Sequence, residues 1–151
     1  MKNYIFVAIL AVAAAAAGCA GFEHTSTTTG PTAGAVSALM GSWASASSAI
    51  PSASSCSNFK WNATELTATN VKGTFSATCA GVLTVSGTAQ GTLSGSVITW
   101  TANGTAQAPL LPSCAITLSG TAELGTNSIR VPYTGDTCLG KVSGVEILNK
   151  R

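Results

Sequence analysis

Between Val71 and Ala122 the chain changes character at every second residue. Val71, Gly73, Phe75, Ala77 and Cys79 alternate with Lys72, Thr74, Ser76 and Thr78. Leu83, Val85, Gly87, Ala89, Gly91 and Leu93 alternate with Thr84, Ser86, Thr88, Gln90, Thr92 and Ser94. The same pattern runs from Ile98 to Ala106 and from Cys114 to Ala122. A period of two sends successive side chains to opposite faces of a strand. Each run therefore has one apolar face and one hydroxyl face, as half-buried antiparallel strands do. Further strands are expected over 41–46, 56–66, 128–134 and 141–148, about eight in all. Residues 35–49 also allow a short Ala/Ser-rich helical turn.

An internal echo narrows the architecture. Leu83-Thr-Val-Ser-Gly-Thr-Ala-Gln90 matches Ile116-Thr-Leu-Ser-Gly-Thr-Ala-Glu123, and 98–107 repeats the phrase with two residues inserted. Similar strands joined by short turns point to a meander. Each copy also puts a Gly on the apolar face, which marks a bend, a bulge or a close backbone approach. Strands that bend at repeated Gly positions suit a small closed barrel. The fold expected is all-β, an antiparallel meander closed into a small up-and-down barrel, with a two-sheet sandwich as the alternative.

Five cysteines are present: Cys19, Cys56, Cys79, Cys114 and Cys138. The last four bracket pairs of expected strands. In a hairpin the first residue of one strand faces the last residue of the next. Sequential pairing, Cys56–Cys79 and Cys114–Cys138, therefore puts a disulfide across the open end of each hairpin. The chain-entropy model gives about 3.5 kcal/mol for loops of this size. A metal site would need reduced thiolates at closer spacing, so disulfides are expected and no metal or other cofactor is.

Cys19 is left over, and the residues before it explain it. Lys2 is followed by an apolar run from Tyr4 to Ala17, and Ala16-Ala17-Gly18 leads into Cys19. The run is shorter than the roughly 20 apolar residues of a membrane-spanning helix, and its order is that of a secretory signal peptide. The small residues ending in Cys19 resemble the lipobox of bacterial lipoproteins. That resemblance implies cleavage before Cys19, acylation of its thiol and amine, and a stable membrane tether. Residue 20 is Ala rather than the Asp that commonly retains such proteins at the inner membrane, which implies the outer membrane. The alternative is cleavage after Ala15-Ala16-Ala17, releasing a soluble protein. The organisation expected is a signal peptide over 1–18, an anchored flexible linker over 19–35 and one β domain over 36–151. His24, the chain's one histidine, is expected to be a solvated linker residue.

Charged residues are 8% of the chain, far below the usual quarter. The surface must be Thr, Ser, Asn and Gln. With residues 1–18 removed the net charge is about +1, without any basic cluster, so nucleic acid is not an expected partner.

Gly41-Ser42-Trp43 heads the first expected strand. A Gly-x-Trp there is similar to the opening of lipocalins and other calycins. The resemblance implies that Trp43 plugs one end of a barrel and that a basic residue near the C-terminus covers it: Lys141, Lys150 or Arg151. Trp61 and Trp100 share apolar faces with Phe59 and Ile98, so they are expected in the core, with a ligand-stacking platform as the sharper reading. Tyr133 is ambiguous. Arg130 falls opposite Ile129 and Val131 and is expected on the surface.

The β domain holds no histidine, so a His-based nucleophile triad is excluded within it. Its acids are Glu65, Glu123, Asp136 and Glu146, all expected to be structural. Thr134-Gly135-Asp136-Thr137 reads as a turn. The expectation is a non-enzymatic envelope lipoprotein that binds a small apolar ligand, with Trp43, Trp61 and Trp100 as the candidate ligand-binding aromatics. The alternative is a structural or adhesive surface protein without a cavity.

Overall fold

The structure, a computed structural model, describes residues 33–110 and 112–151. Cys19, His24, the expected signal peptide and nearly all of the expected linker lie outside the described residues.

A short helix, α1 (Ala33–Ala38), precedes eight strands: β1 (Gly41–Ser45), β2 (Cys56–Leu66), β3 (Asn70–Cys79), β4 (Leu83–Ser94), β5 (Val97–Gln107), β6 (Cys114–Leu124), β7 (Ser128–Thr137) and β8 (Gly140–Lys150). Each strand pairs antiparallel with its neighbour in sequence, and β8 pairs back onto β1, closing a barrel. The expected barrel is therefore observed, and the sandwich is not. The helix starts at Ala33, within the stretch expected to be linker, and ends inside the stretch where the sequence allows a helical turn, while 41–45 form the expected strand.

The period of two does what it should. Val71, Phe75 and Ala77, then Leu83, Val85 and Leu93, then Ile98, Ala102 and Ala106 are all buried and form one core. Lys72, Thr88, Thr99, Thr101 and Thr121 between them are exposed. Apolar residues point in and polar ones point out, the inverse of a membrane-spanning barrel. The β4–β5 hairpin turns on Gly95-Ser96, and Gly95 has φ 61°. Gly at the first loop position matches a II′ turn, whose twist suits the strands.

The inward glycines show how tightly the wall closes. A Cβ on Gly87 would lie 2.1 Å from the carbonyl oxygen of Asn103, and one on Gly104 2.2 Å from that of Ser86. These two glycines face each other across β4 and β5. Gly135 makes the same approach to Thr117. This corrects the expected turn at 134–137. Gly135 and Asp136 lie inside β7, and Gly135 is there because a neighbouring strand leaves no room for a side chain. Asp136 instead faces Lys141 across the β7–β8 pair at 2.7 Å, fully on the surface, where such a pair contributes little.

Both disulfides form with the expected pairing, Cys56–Cys79 and Cys114–Cys138. Both lie at one end of the barrel, where β2 and β6 begin and β3 and β7 finish. Tyr133 reinforces that end from inside. Its phenol accepts from the Cys56 amide at 2.7 Å and donates to the Cys56 carbonyl at 2.9 Å, bridging β7 to β2.

The opposite end is closed by α1 and Trp43. Val36 and Leu39 are buried in the core. The Trp43 indole N–H donates to the Leu39 carbonyl at 2.9 Å. Lys150, near the end of β8, donates to the Ala38 carbonyl at 2.7 Å and lies 5.6 Å from the Trp43 ring centroid. Of the three basic candidates, Lys150 is the one over Trp43.

Candidate functional site

By register Trp43, Trp61 and Phe75 sit side by side on β1, β2 and β3. Trp100 on β5 is flanked in register by Gly91 and Gly120, and its indole nitrogen would lie 3.3 Å from a Cβ on Gly120. An indole covering a bare glycine is a device that lets a bent strand keep its packing. Between these residues remains a cavity of about 70 Å³. Phe59, Trp61, Val71, Phe75, Ile98 and Trp100 line it, with Ala102, Ala122, Val131 and Leu148. Most of these belong to the half of the barrel nearer α1.

Its size decides what it can take. Drug-sized pockets run to about 300–1,000 Å³. An engineered apolar cavity of about 150 Å³ stays dry and binds benzene. About 70 Å³ accommodates a few heavy atoms. The small side chains explain why the cavity is not larger: Ala89, Ala102 and Ala122 let the strands approach, and the aromatics fill the space so made.

Two of the lining residues carry buried polar atoms away from the apolar cavity surface: among the described residues the indole nitrogens of Trp61 and Trp100 have no hydrogen-bond partner. A buried N–H without an acceptor is costly, about 1–3 kcal/mol. Trp43 has its acceptor, plugs the barrel end and does not line the cavity. Of the three candidate tryptophans, the structure thus brings Trp61 and Trp100 together at one cavity.

No protein-family model matches the chain, and no curated protein or solved structure is significantly similar to it.

One functional candidate was hidden in the sequence. Glu146 is 9% exposed and shares the inward phase of β8 with Val142 and Leu148. Burial pushes its carboxyl above the ordinary glutamate value, and the nearby Ser45 hydroxyl partly offsets that. Burial likewise raises the Tyr133 phenol, its bonds to Cys56 oppose this, and the Glu146 charge adds to the rise. The apolar pattern of β8 is ambiguous, because Val145 and Ile147 compete with Val142 and Leu148 for the inner face. The structure puts Val145 and Ile147 outside, 51% and 39% exposed. Glu123 and Arg130 are exposed, and so is Glu65. Among the described residues no group of three or more His, Cys, Asp or Glu side chains is placed to hold a metal ion.

Proposed function

We propose that this chain is an exported, lipid-anchored protein of the cell envelope whose barrel interior binds a small, largely apolar ligand. The observation that carries the binding is the cavity of about 70 Å³ walled by Phe59, Trp61, Phe75 and Trp100. Its surface is wholly apolar, which suits a ligand with a hydrocarbon body. The anchor rests on the signal-like segment ending at Cys19, which points to an outer-membrane tether. Acyl chains contribute about 0.8 kcal/mol per buried CH₂, so two or more hold a protein stably. The reading is one of binding because, among the described residues, the cavity is lined by apolar and aromatic side chains with Lys60 and Gln90 at its edge.

The test is a titration of the purified protein with 1-butanol, read by tryptophan emission. Two of its three tryptophans line the cavity, so binding is expected to give a saturable change. Ala102→Val, which fills the cavity from β5, is expected to abolish it. A non-saturable response, or an unchanged one in Ala102→Val, overturns the reading. For the anchor, Cys19→Ser is expected to leave the protein out of the membrane fraction, and unchanged partitioning contradicts it.

One observation favours the structural or adhesive alternative. Val145 and Ile147 project from the outer face of β8 beside Pro132, which lies opposite Val145 in register. An exposed apolar strip on a hydroxyl-rich surface is a place for contact with another macromolecule. Assembly of the protein in solution, removed by Ile147→Thr, would support that reading.

A further inference from the structure

We infer that the barrel edge carrying Lys60, Lys150 and Arg151 docks on an anionic lipid surface, that of the membrane holding the anchor. This rests on the reading of the chain as lipid-anchored and adds how the barrel sits on its membrane. Charges are few among the described residues, and their placement is uneven. Strand register sets most of them in opposite pairs. Glu65 faces Lys72 across β2 and β3, Glu123 faces Arg130 across β6 and β7, and Asp136 bonds to Lys141 across β7 and β8. Opposite charges directly across a ladder largely cancel at a distance. Glu146 is buried. Among the described residues, that leaves Lys60, Lys150 and Arg151 with no carboxylate opposite.

These three stand together around β1. The Arg151 amide donates to the Ser42 carbonyl at 2.9 Å. Lys150 lies opposite Trp43 in register, and Lys60 lies opposite Ala44. Three consecutive residues of β1 thus have a cation beside them, and all three cations are exposed. The bond from Lys150 to the Ala38 carbonyl holds its ammonium at this end without neutralising it. Lys60 and Arg151 also line one open groove on the outer face of β1, β2 and β3, with Ser42, Asn62, Thr74 and Ser76. Two cations among hydroxyl and amide groups offer hydrogen-bond donors to the phosphate oxygens of a lipid headgroup.

The origin of the tether matches. Ala33 begins α1, which closes this same end of the barrel, and Cys19 lies 14 residues before it. At most about 50 Å of chain therefore separates α1 from the anchor. The opposite end carries both disulfides and the mutually neutral Asp136–Lys141 pair. The tether puts the α1 end nearest the lipid, and charge selects the flank that faces it. A negative leaflet favours such an edge by about fivefold for each Lys or Arg brought near its surface.

The test places wild-type protein, purified from membranes in detergent, into vesicles of phosphatidylcholine alone or with an equal part of phosphatidylglycerol. Lysines are labelled with a membrane-impermeant amine reagent and read by peptide mass spectrometry, with Lys141 at the far end as internal reference. Relative to Lys141, Lys60 is expected to label at least about fivefold more slowly in the anionic vesicles than in the neutral ones. Salt at about 0.5 M cuts the screening length to a few Å and is expected to remove that protection. Arg151→Gln, at an exposed position, is expected to weaken it. The same Lys60-to-Lys141 ratio in both vesicles, or protection unchanged by salt or by Arg151→Gln, overturns the inference and leaves the anchor standing. Protein that enters neither kind of vesicle overturns the anchor and the inference together.

Discussion

Two inward residues carry more than their share of this barrel. Tyr133 spans the interior and satisfies both backbone groups of Cys56. Tyr133→Phe keeps the ring that packs on Phe59 and over Gly144, and removes only the oxygen. It leaves a buried N–H and C=O without that partner, so a loss of about 1–3 kcal/mol in urea unfolding is expected. Glu146 works in the other direction. Its carboxyl is raised by burial in the folded protein, so the fold favours the protonated form. Its contribution is fully present below the ordinary glutamate value and is lost as pH rises through the raised one. Glu146→Gln is therefore expected to be more stable than wild type at pH 7, with the difference shrinking as pH falls below the ordinary glutamate range. Thermal melts of the two proteins across that window check this. A difference that grows on acidification contradicts it.

The strands are where sequence and structure agree most closely, and the reason is chemical. In β4, β5 and β6 the outer phase is Thr, Ser, Asn and Gln apart from Val97, Ala115 and Glu123, and the inner phase is Val, Leu, Ile, Ala and Gly with Trp100 and Cys114. Only one phase buries the apolar set. In β8, apolar residues occupy both phases, and the alternation does not say that Glu146 faces in. Gly135 misled for a related reason: Gly signals both turns and close backbone approaches, and only the neighbouring carbonyl of Thr117 tells them apart. β2 was legible in its bounds but not in its two bulges, at 57–60 and 63–65. The first turns on Asn58 at φ 52° and places Ser57 and Cys56 inside together. Helix α1 has no long apolar period, since six residues are too few to show one. At this scale the glycine pair gives the sharpest prediction. Gly104→Ala places a Cβ against the Ser86 carbonyl, and only backbone movement relieves it. A loss of about 1–3 kcal/mol is expected, against a change within about 0.5 kcal/mol for the outward Thr101→Ala. Equal effects of the two in denaturant unfolding would show that β4 and β5 are not this close.

The whole molecule is a barrel closed differently at its two ends. One end is held by two disulfides and the Tyr133 bridge. The other is held by α1, Trp43 and Lys150. The candidate site lies between them, in the half nearer the helix. Its aromatics were legible because they share faces with Phe59 and Ile98. Its volume was not, because it depends on how far Gly and Ala let the strands approach. β1 ends at Ser45, one residue short of the expected end, and the Ser-rich run with Pro51 that follows is what stops it. A ligand that enters the barrel, as proposed, meets Trp61 and Trp100. The indole N–H signals in a ¹H–¹⁵N NMR spectrum test it most directly, with 1-butanol added stepwise. The Trp61 and Trp100 signals are expected to move together and saturate. The Trp43 signal, tied to the Leu39 carbonyl at the plugged end, is predicted to stay in place. Three unmoved indole signals, or shifts confined to Trp43 and the outer-face amides, would contradict it.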